Sequence, residues 1–304
     1  MASQTTPPKP LRPLKGVRIL SLALNLPGPA AVMRLQAMGA TCSKLEPPAP
    51  AAMPAGTPGD PMGMYNMPAY TRLHQGIRVL QADLKTAKGQ AQLHKMLART
   101  DVLLTSFRPS ALDKLGVGWA SLKKRYPTLS MVAIVGAPGA RAEEPGHDLT
   151  YMAEAGLVTG MDMPPTLYAD MGGSLMASEA VLQVQMQRMA SGKGAHIEVA
   201  LSEAAQYLAL PRNWGLSTAK GSVGGSHAGY RIYPCKDGRV AFAALEPHFA
   251  QRLMESAGQS HGDIRSMFRP ESHAAIAAFV KDKTRAQLDT LSVQKDIPLF
   301  TLKA

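Results

Sequence analysis

The sequence predicts an α/β fold, with a Rossmann-like, doubly wound parallel sheet followed by a second, smaller α+β domain. Short apolar segments typical of buried strands alternate with helical segments through about residue 136. The first such segment, residues 17–23, precedes a Pro-Gly turn, a helix and a second strand, which is the order of a βαβ unit. Further along, an Asp-Gly dipeptide between two apolar segments predicts a β-hairpin.

Turn residues bound the first βαβ unit clearly. Pro29 suits the start of a helix over residues 30–38, and Gly39 suits the left-handed residue that ends it. A parallel second strand is predicted over residues 41–46. Later strands are predicted over residues 77–80, 101–105 and 129–135, and helices over residues 86–99, 111–115 and 119–125.

The regions outside these elements are predicted from their Pro and Gly content. Residues 47–69 are predicted to be a long irregular loop, and residues 164–173 a second loop that precedes a buried helix over residues 174–189. After that helix we predict a strand at 196–201, a helix at 203–210, a loop at 211–228 and the hairpin around Asp237-Gly238. The predicted domains are a flexible tail at 1–13, a large domain at 14–210 and a small domain at 211–304.

Composition limits the functions that the chain can have. The 304 residues are 45% hydrophobic and carry a formal net charge of +11 at pH 7, but the cationic residues are scattered. This pattern disfavours nucleic acid as a partner and suits a phosphorylated small molecule. The two cysteines predict neither a metal site nor a disulfide, and no segment predicts a secretion signal or membrane span. A cytoplasmic location is therefore expected.

Common nucleotide and hydrolase motifs are missing from the sequence. Neither a P-loop nor a Gly-x-Gly-x-x-Gly fingerprint follows the first strand, which argues against NAD, and no Gly-x-Ser-x-Gly elbow is present. Ligands of doubly wound sheets bind at the carboxyl ends of the strands. In this sequence those ends are residues 24–29, 46–48, 105–109 and 136–147.

Three carboxylate-bearing stretches are candidates for chemistry. Asp170 stands before Gly172-Gly173 and the predicted start of a long helix, where free backbone N–H groups stabilise anions. The alternative for Asp170 is a helix cap. His147 stands beside Asp148 in a second stretch, with a loop histidine next to a capping residue as the alternative. Glu246 ends a predicted strand, where a solvated side chain is the alternative.

The ordered set of motifs resembles the class III CoA-transferase superfamily (CaiB/BaiF type), in particular its α-methylacyl-CoA racemase branch. The matching stretches span residues 14 to about 290. They are residues 14–20, Pro27-Gly28-Pro29, Gly39-Ala40, 44–47, 82–85, 101–104, Phe107-Arg108-Pro109, Leu115-Gly116, Gly146-His147-Asp148, Ala169-Asp170, Gly172-Gly173, 191–194 and Glu246-Pro247.

The resemblance implies an acyl-CoA substrate and no permanently bound cofactor. It implies that Asp170 is either the acylated nucleophile of a transferase or, with His147 on the opposite face, one of the two bases of a racemase, supported by Glu246. It further implies CoA contacts from Lys44, Arg108 and the Gly172-Gly173 pair, and an interlaced homodimer.

The sequence departs from that family in three places. Gly59-Asp60-Pro61 is followed by Met62-Gly63 where an Arg often follows, and residues 136–139 read Gly-Ala-Pro-Gly where Gly-Phe or Gly-Trp is usual. The chain also ends at Ala304, short of typical members.

Chemistry favours one branch and leaves two alternatives. Racemisation needs a base on each face of the α-carbon, and a histidine with an aspartate can supply them. CoA transfer needs one nucleophilic carboxylate and an oxyanion site, without a histidine beside it. We therefore favour a 2-methylacyl-CoA racemase or epimerase that uses His147 and Asp170, with a CoA-transferase as first alternative. The second alternative is a truncated, non-catalytic acyl-CoA-binding protein.

Overall fold

A computed structural model describes residues 11–54, 56–260 and 262–304. Most of the predicted flexible tail, residues 1–10, lies outside the described residues. The chain divides into two compact units, with the boundary between Ala209 and Leu210.

A six-stranded, fully parallel sheet forms the centre of the first unit, in the order β3-β2-β1-β4-β5-β6. The strand order reverses between β1 and β4, which makes the sheet doubly wound and confirms the predicted fold class. The strands are β1 Arg18–Ser21, β2 Thr41–Glu46, β3 Arg78–Gln81, β4 Val102–Thr105, β5 Ser130–Val135 and β6 His196–Ala200.

Helices cover both faces of this sheet. Ile19, Val102 and Ile134 belong to a core that includes residues of α1 and α8, whereas Leu20, Leu103 and Met131 belong to a core that includes α4, α5 and α6. The helices are α1 Pro27–Ala37, α2 Pro61–Tyr65, α3 Met67–Leu73, α4 Ala87–Leu97, α5 Pro109–Lys114, α6 Trp119–Arg125, α7 Asp148–Glu154, α8 Tyr168–Ser191 and α9 Leu201–Asn213.

Three predicted loops contain helical residues and are wrong to that extent. Residues 47–69 contain α2 and the start of α3, whose first turns are capped by the side chains of Asp60 and Asn66. Helix α8 begins at Tyr168 and not at residue 174, so Gly172 and Gly173 are helical. Helix α9 also continues through Pro211 to Asn213, beyond its predicted end.

The second unit is the predicted smaller α+β domain. Strands β7 Tyr230–Cys235, β8 Gly238–Ala243 and β9 Leu299–Leu302 form an antiparallel sheet, with helices α10 Pro247–Ser256, α11 Pro270–Lys281 and α12 Arg285–Lys295. The predicted hairpin is confirmed, but the two turn residues are Lys236 and Asp237. Gly238, at φ +159°, already pairs with Cys235.

Candidate active site

A small cavity of about 170 Å³ opens at the carboxyl ends of the central strands of the first unit. Leu24 and Asn25 from the loop after β1, residues 106–108 after β4 and Gly136 after β5 line it. His147, Tyr151 and Asp170 are among its other lining residues, which also include Glu144. This edge, where the strand order reverses, is where ligands of doubly wound sheets bind.

Asp170 is the third residue of α8 and is half-buried. Its backbone N–H donates a hydrogen bond to Oδ1 of the buried Asp148 at 3.0 Å. Asp148 thus caps a free N–H at the start of α8. Helix capping was the alternative role that the sequence offered for Asp170. Burial, and then the negative charge of Asp148, raise the pKa of Asp170 to about 7. Near neutral pH this carboxyl group can therefore both accept and donate a proton.

His147 precedes α7 as its N-cap residue and lines the same cavity. Its backbone N–H donates to Oγ1 of Thr150 at 3.1 Å, and that hydroxyl donates to the His147 carbonyl at 2.7 Å. These two bonds fix the backbone from which the exposed imidazole projects. Two groups capable of proton transfer, His147 and Asp170, thus border one cavity.

Tyr151 is a site residue that the sequence analysis missed. Its buried ring packs against two glycines: a Cβ on Gly136 or Gly146 would lie 2.3 Å or 2.5 Å from the phenol oxygen. Burial, followed by the charge of Asp170, raises the pKa of Tyr151, so the hydroxyl keeps its proton at neutral pH. It can donate a hydrogen bond to an oxygen in the cavity. Tyr151 follows His147 by four residues, about one helical turn, and this spacing could have indicated that the two lie on the same side of a helix.

The family model that describes CoA-transferase family III matches residues 14–303. The chain belongs to this family.

Relatives in family III include racemases and CoA-transferases, and the chain is an enzyme of this group. It is 27% identical to the α-methylacyl-CoA racemase of Homo sapiens over 296 residues, which cover 90% of this chain and 73% of the relative. It is 28% identical to the succinyl-CoA–D-citramalate CoA-transferase of Chloroflexus aurantiacus over 336 residues, covering 97% and 80%. The structure of a CAIB/BAIF family protein from Brucella suis shares the fold, at TM-score 0.79, 24% identity and coverage of 97% and 85%.

Arg108 is exposed at the start of α5 and lines the cavity of this family III enzyme. Glu143 lies nearby: two hydrogen bonds from Ser110, both 2.7 Å, lower the pKa of Glu143, and the charge of Arg108 contributes. Arg108 is therefore a cation at the cavity that remains open to solvent and can reach a phosphate.

Lys44 does not lie at the cavity. Its side chain is buried, and its ammonium group contacts Asp60, Glu46 at 3.4 Å and Nε2 of His74 at 2.9 Å. Nδ1 of His74 is 2.7 Å from the Tyr70 carbonyl, so Nδ1 carries the proton and Nε2 accepts from Lys44. Burial, and then Lys44, lower the pKa of His74. These contacts, and one with the Tyr70 ring, are all internal, so the buried ammonium is not open to an external phosphate.

The cavity is not lined by Gly172, Gly173 or Glu246. A Cβ on Gly173 would lie 2.3 Å from the Leu201 side chain, and one on Gly172 would lie 3.2 Å from Leu208, so both glycines lie where α8 packs on α9. Glu246 belongs to the second unit, where it is exposed at the N-cap position of α10.

Across residues 11–54, 56–260 and 262–304, no three His, Cys, Asp or Glu side chains gather as metal ligands would. Within those ranges no helix combines the length and apolarity that a bilayer span requires. Cys42 and Cys235 are free thiols.

Proposed function

We propose that this enzyme moves the α-proton of a 2-methylacyl-CoA from one face of the α-carbon to the other, with His147 and Asp170 as the two bases. The observation that carries the proposal is that both side chains border one cavity. Racemisation requires one base to be protonated while the other is free. With a pKa of about 7, Asp170 is present in both forms near neutral pH, so the reaction can start from either enantiomer.

In this proposal the thioester oxygen gains negative charge as the α-proton leaves. Removal of that proton by neutral His147 gives an enolate, and protonated Asp170 returns a proton to the other face; the roles reverse in the opposite direction. The Tyr151 hydroxyl supports this chemistry as a hydrogen-bond donor to the enolate oxygen, because burial keeps it protonated. Arg108 binds a phosphate of CoA through its guanidinium group.

CoA transfer is the second candidate, and the elevated pKa of Asp170 favours it as well. A carboxylate with a higher pKa is a stronger nucleophile, and it would attack the thioester carbonyl, form a mixed anhydride and release the CoA thiolate. The thiolate would then displace the acid to give an Asp170 thioester, from which an acceptor acid takes CoA. The similarity to a citramalate CoA-transferase over 97% of the chain supports this alternative.

One incubation separates the two functions. A 2-methylacyl-CoA is incubated with the enzyme in D2O, with and without a free carboxylic acid. Deuterium at C2 without the acceptor supports proton transfer, whereas a new thioester that appears only with the acceptor supports CoA transfer. The His147→Ala variant should lose inversion at C2 in the first case and keep most of its CoA-transfer activity in the second. If the wild-type enzyme formed neither the deuterated substrate nor a new thioester, both proposals would be overturned.

A homodimer is proposed on the strength of exposed apolar side chains in the first unit. Large apolar residues on α8 and α9 face solvent in the single chain, and a second copy would bury them. They are Leu175, Met186, Met189, Tyr207 and Leu208, with exposed fractions of 41–86%. The cytoplasmic location remains a prediction from the sequence.

A further inference from the structure

A second cleft, of about 580 Å³, lies at the amino ends of the parallel strands, whereas the Asp170 cavity lies at their carboxyl ends. Arg18, Thr41 and Arg78, which begin β1, β2 and β3, line it together with the last turn of α4. Because the strands are parallel, their amino ends share one edge and their carboxyl ends share the other. The cleft is therefore distinct from the cavity that contains Asp170.

The cleft carries uncompensated positive charge. Arg78, Lys95 and Arg99 line it, are exposed, and make no ion pair within the part of the chain that the structure describes. The nearby acid, Asp101, is already engaged by Arg18 at 3.0 Å and by Arg188 at 2.7 Å. Burial alone would raise the pKa of Asp101, but these hydrogen bonds hold that pKa at about 2. Among the described residues, no free carboxylate lines the cleft to neutralise Arg78, Lys95 and Arg99.

The lining also has an apolar side. Leu80 and Met96 lie beside the cations, and Ser43 borders the same space. The volume falls within the range of about 300–1,000 Å³ that small-molecule sites occupy. Guanidinium groups pair with phosphate oxygens in a bidentate manner and stack on flat rings. A ligand with clustered phosphates at one end and a flat base at the other matches this distribution.

We propose that this cleft binds a nucleoside di- or triphosphate, a site separate from the acyl-CoA chemistry at Asp170. Arg78 and Arg99 bind the phosphates, Lys95 adds charge, and the base lies over Leu80 and Met96. The proposal goes beyond the proposed function and does not depend on it.

Calorimetric titration of the full chain with ADP and with inorganic pyrophosphate tests the proposal. ADP should bind, and the double variant Arg78→Ala/Arg99→Ala should weaken its binding at least about a hundredfold, because two charge-assisted contacts are lost. Both residues are exposed, so the variant should fold normally. The control Lys123→Ala/Lys124→Ala removes two exposed cations from α6 and should leave ADP binding unchanged.

Three results would overturn the proposal. The first is no ADP binding at millimolar concentration. The second is ADP binding that survives in the Arg78→Ala/Arg99→Ala variant but is lost in Arg108→Ala, which would place the nucleotide at the Asp170 cavity. The third is pyrophosphate binding as tight as that of ADP, which would show that the cleft binds anions without recognising a nucleoside.

Discussion

The carboxylate of Asp148 accepts a hydrogen bond from the backbone N–H of Asp170, at 3.0 Å. Asp148 thereby stabilises the first turn of α8 and places a negative charge near the Asp170 carboxyl group. Because a like charge disfavours ionisation, Asp148 contributes, after burial, to the pKa of about 7 at Asp170. The two residues are 22 positions apart in the sequence, yet the charge of Asp148 affects the pKa of Asp170.

The first prediction concerns Asp148→Asn. The amide oxygen can keep the hydrogen bond to Asp170, but the negative charge is gone, so the pKa of Asp170 should fall while burial keeps it above its ordinary value. The limb of the pH–rate profile that belongs to Asp170 should move to lower pH by a measurable fraction of a unit. Steady-state rates between pH 4 and 9 would show this shift. An unchanged profile would mean that Asp148 does not influence the titration of Asp170.

The second prediction concerns Tyr151→Phe. The ring and its packing against Gly136 and Gly146 remain, whereas the donor to the substrate oxygen is lost. We expect kcat to fall about a hundredfold, the low end for loss of an oxyanion donor, with little change in KM. Tyr126→Phe makes the same chemical change away from the cavity, where the hydroxyl is 3.1 Å from Nδ1 of His94. Equal activity of the two variants would remove Tyr151 from the mechanism.

The third prediction concerns Lys44→Met. Asp60 and Glu46 would then be buried without their cation, so the free energy of unfolding should fall by about 3–5 kcal/mol, while acyl-CoA affinity of the folded fraction stays unchanged. Urea denaturation and calorimetry measure the two quantities.

Arg108→Ala is the comparison for Lys44→Met. It should weaken acyl-CoA binding by about 1–3 kcal/mol and leave stability as it was. A stable Lys44→Met protein with weakened acyl-CoA binding would instead support a direct contact between Lys44 and CoA.

The fold was largely predictable because strand and helix segments alternate with clear Pro and Gly boundaries. The start of α8 was not, since two adjacent glycines normally disfavour a helix. Its early start depends on Asp148 and on close packing of Gly173 against Leu201, both distant in sequence.

The candidate site was predictable where it follows from topology. Strands β1, β4 and β5 end at one edge, and residues that follow them meet there. The surroundings of Lys44 were not, because Asp60 and His74 reach it from an irregular connection and from the end of α3, contacts that no local pattern encodes.

The fourth prediction is that the chain forms a homodimer. Light scattering at micromolar concentration should give about twice the 32.3 kDa chain mass. Charged substitutions at two exposed positions, Met186→Lys and Tyr207→Lys, should shift the mass towards the monomer, because a buried charge opposes association. A wild-type monomer at that concentration would contradict the proposal.

Inversion at C2 by the Asp170→Asn variant tests most directly whether the Asp170 carboxyl group moves the α-proton. Asparagine keeps the shape of the side chain but can neither accept nor return the proton. The variant should keep the wild-type circular dichroism spectrum and acyl-CoA affinity, and should convert either enantiomer of a 2-methylacyl-CoA into the other at least about a hundredfold more slowly. Inversion at the wild-type rate would contradict this role and leave Asp170 without a catalytic function.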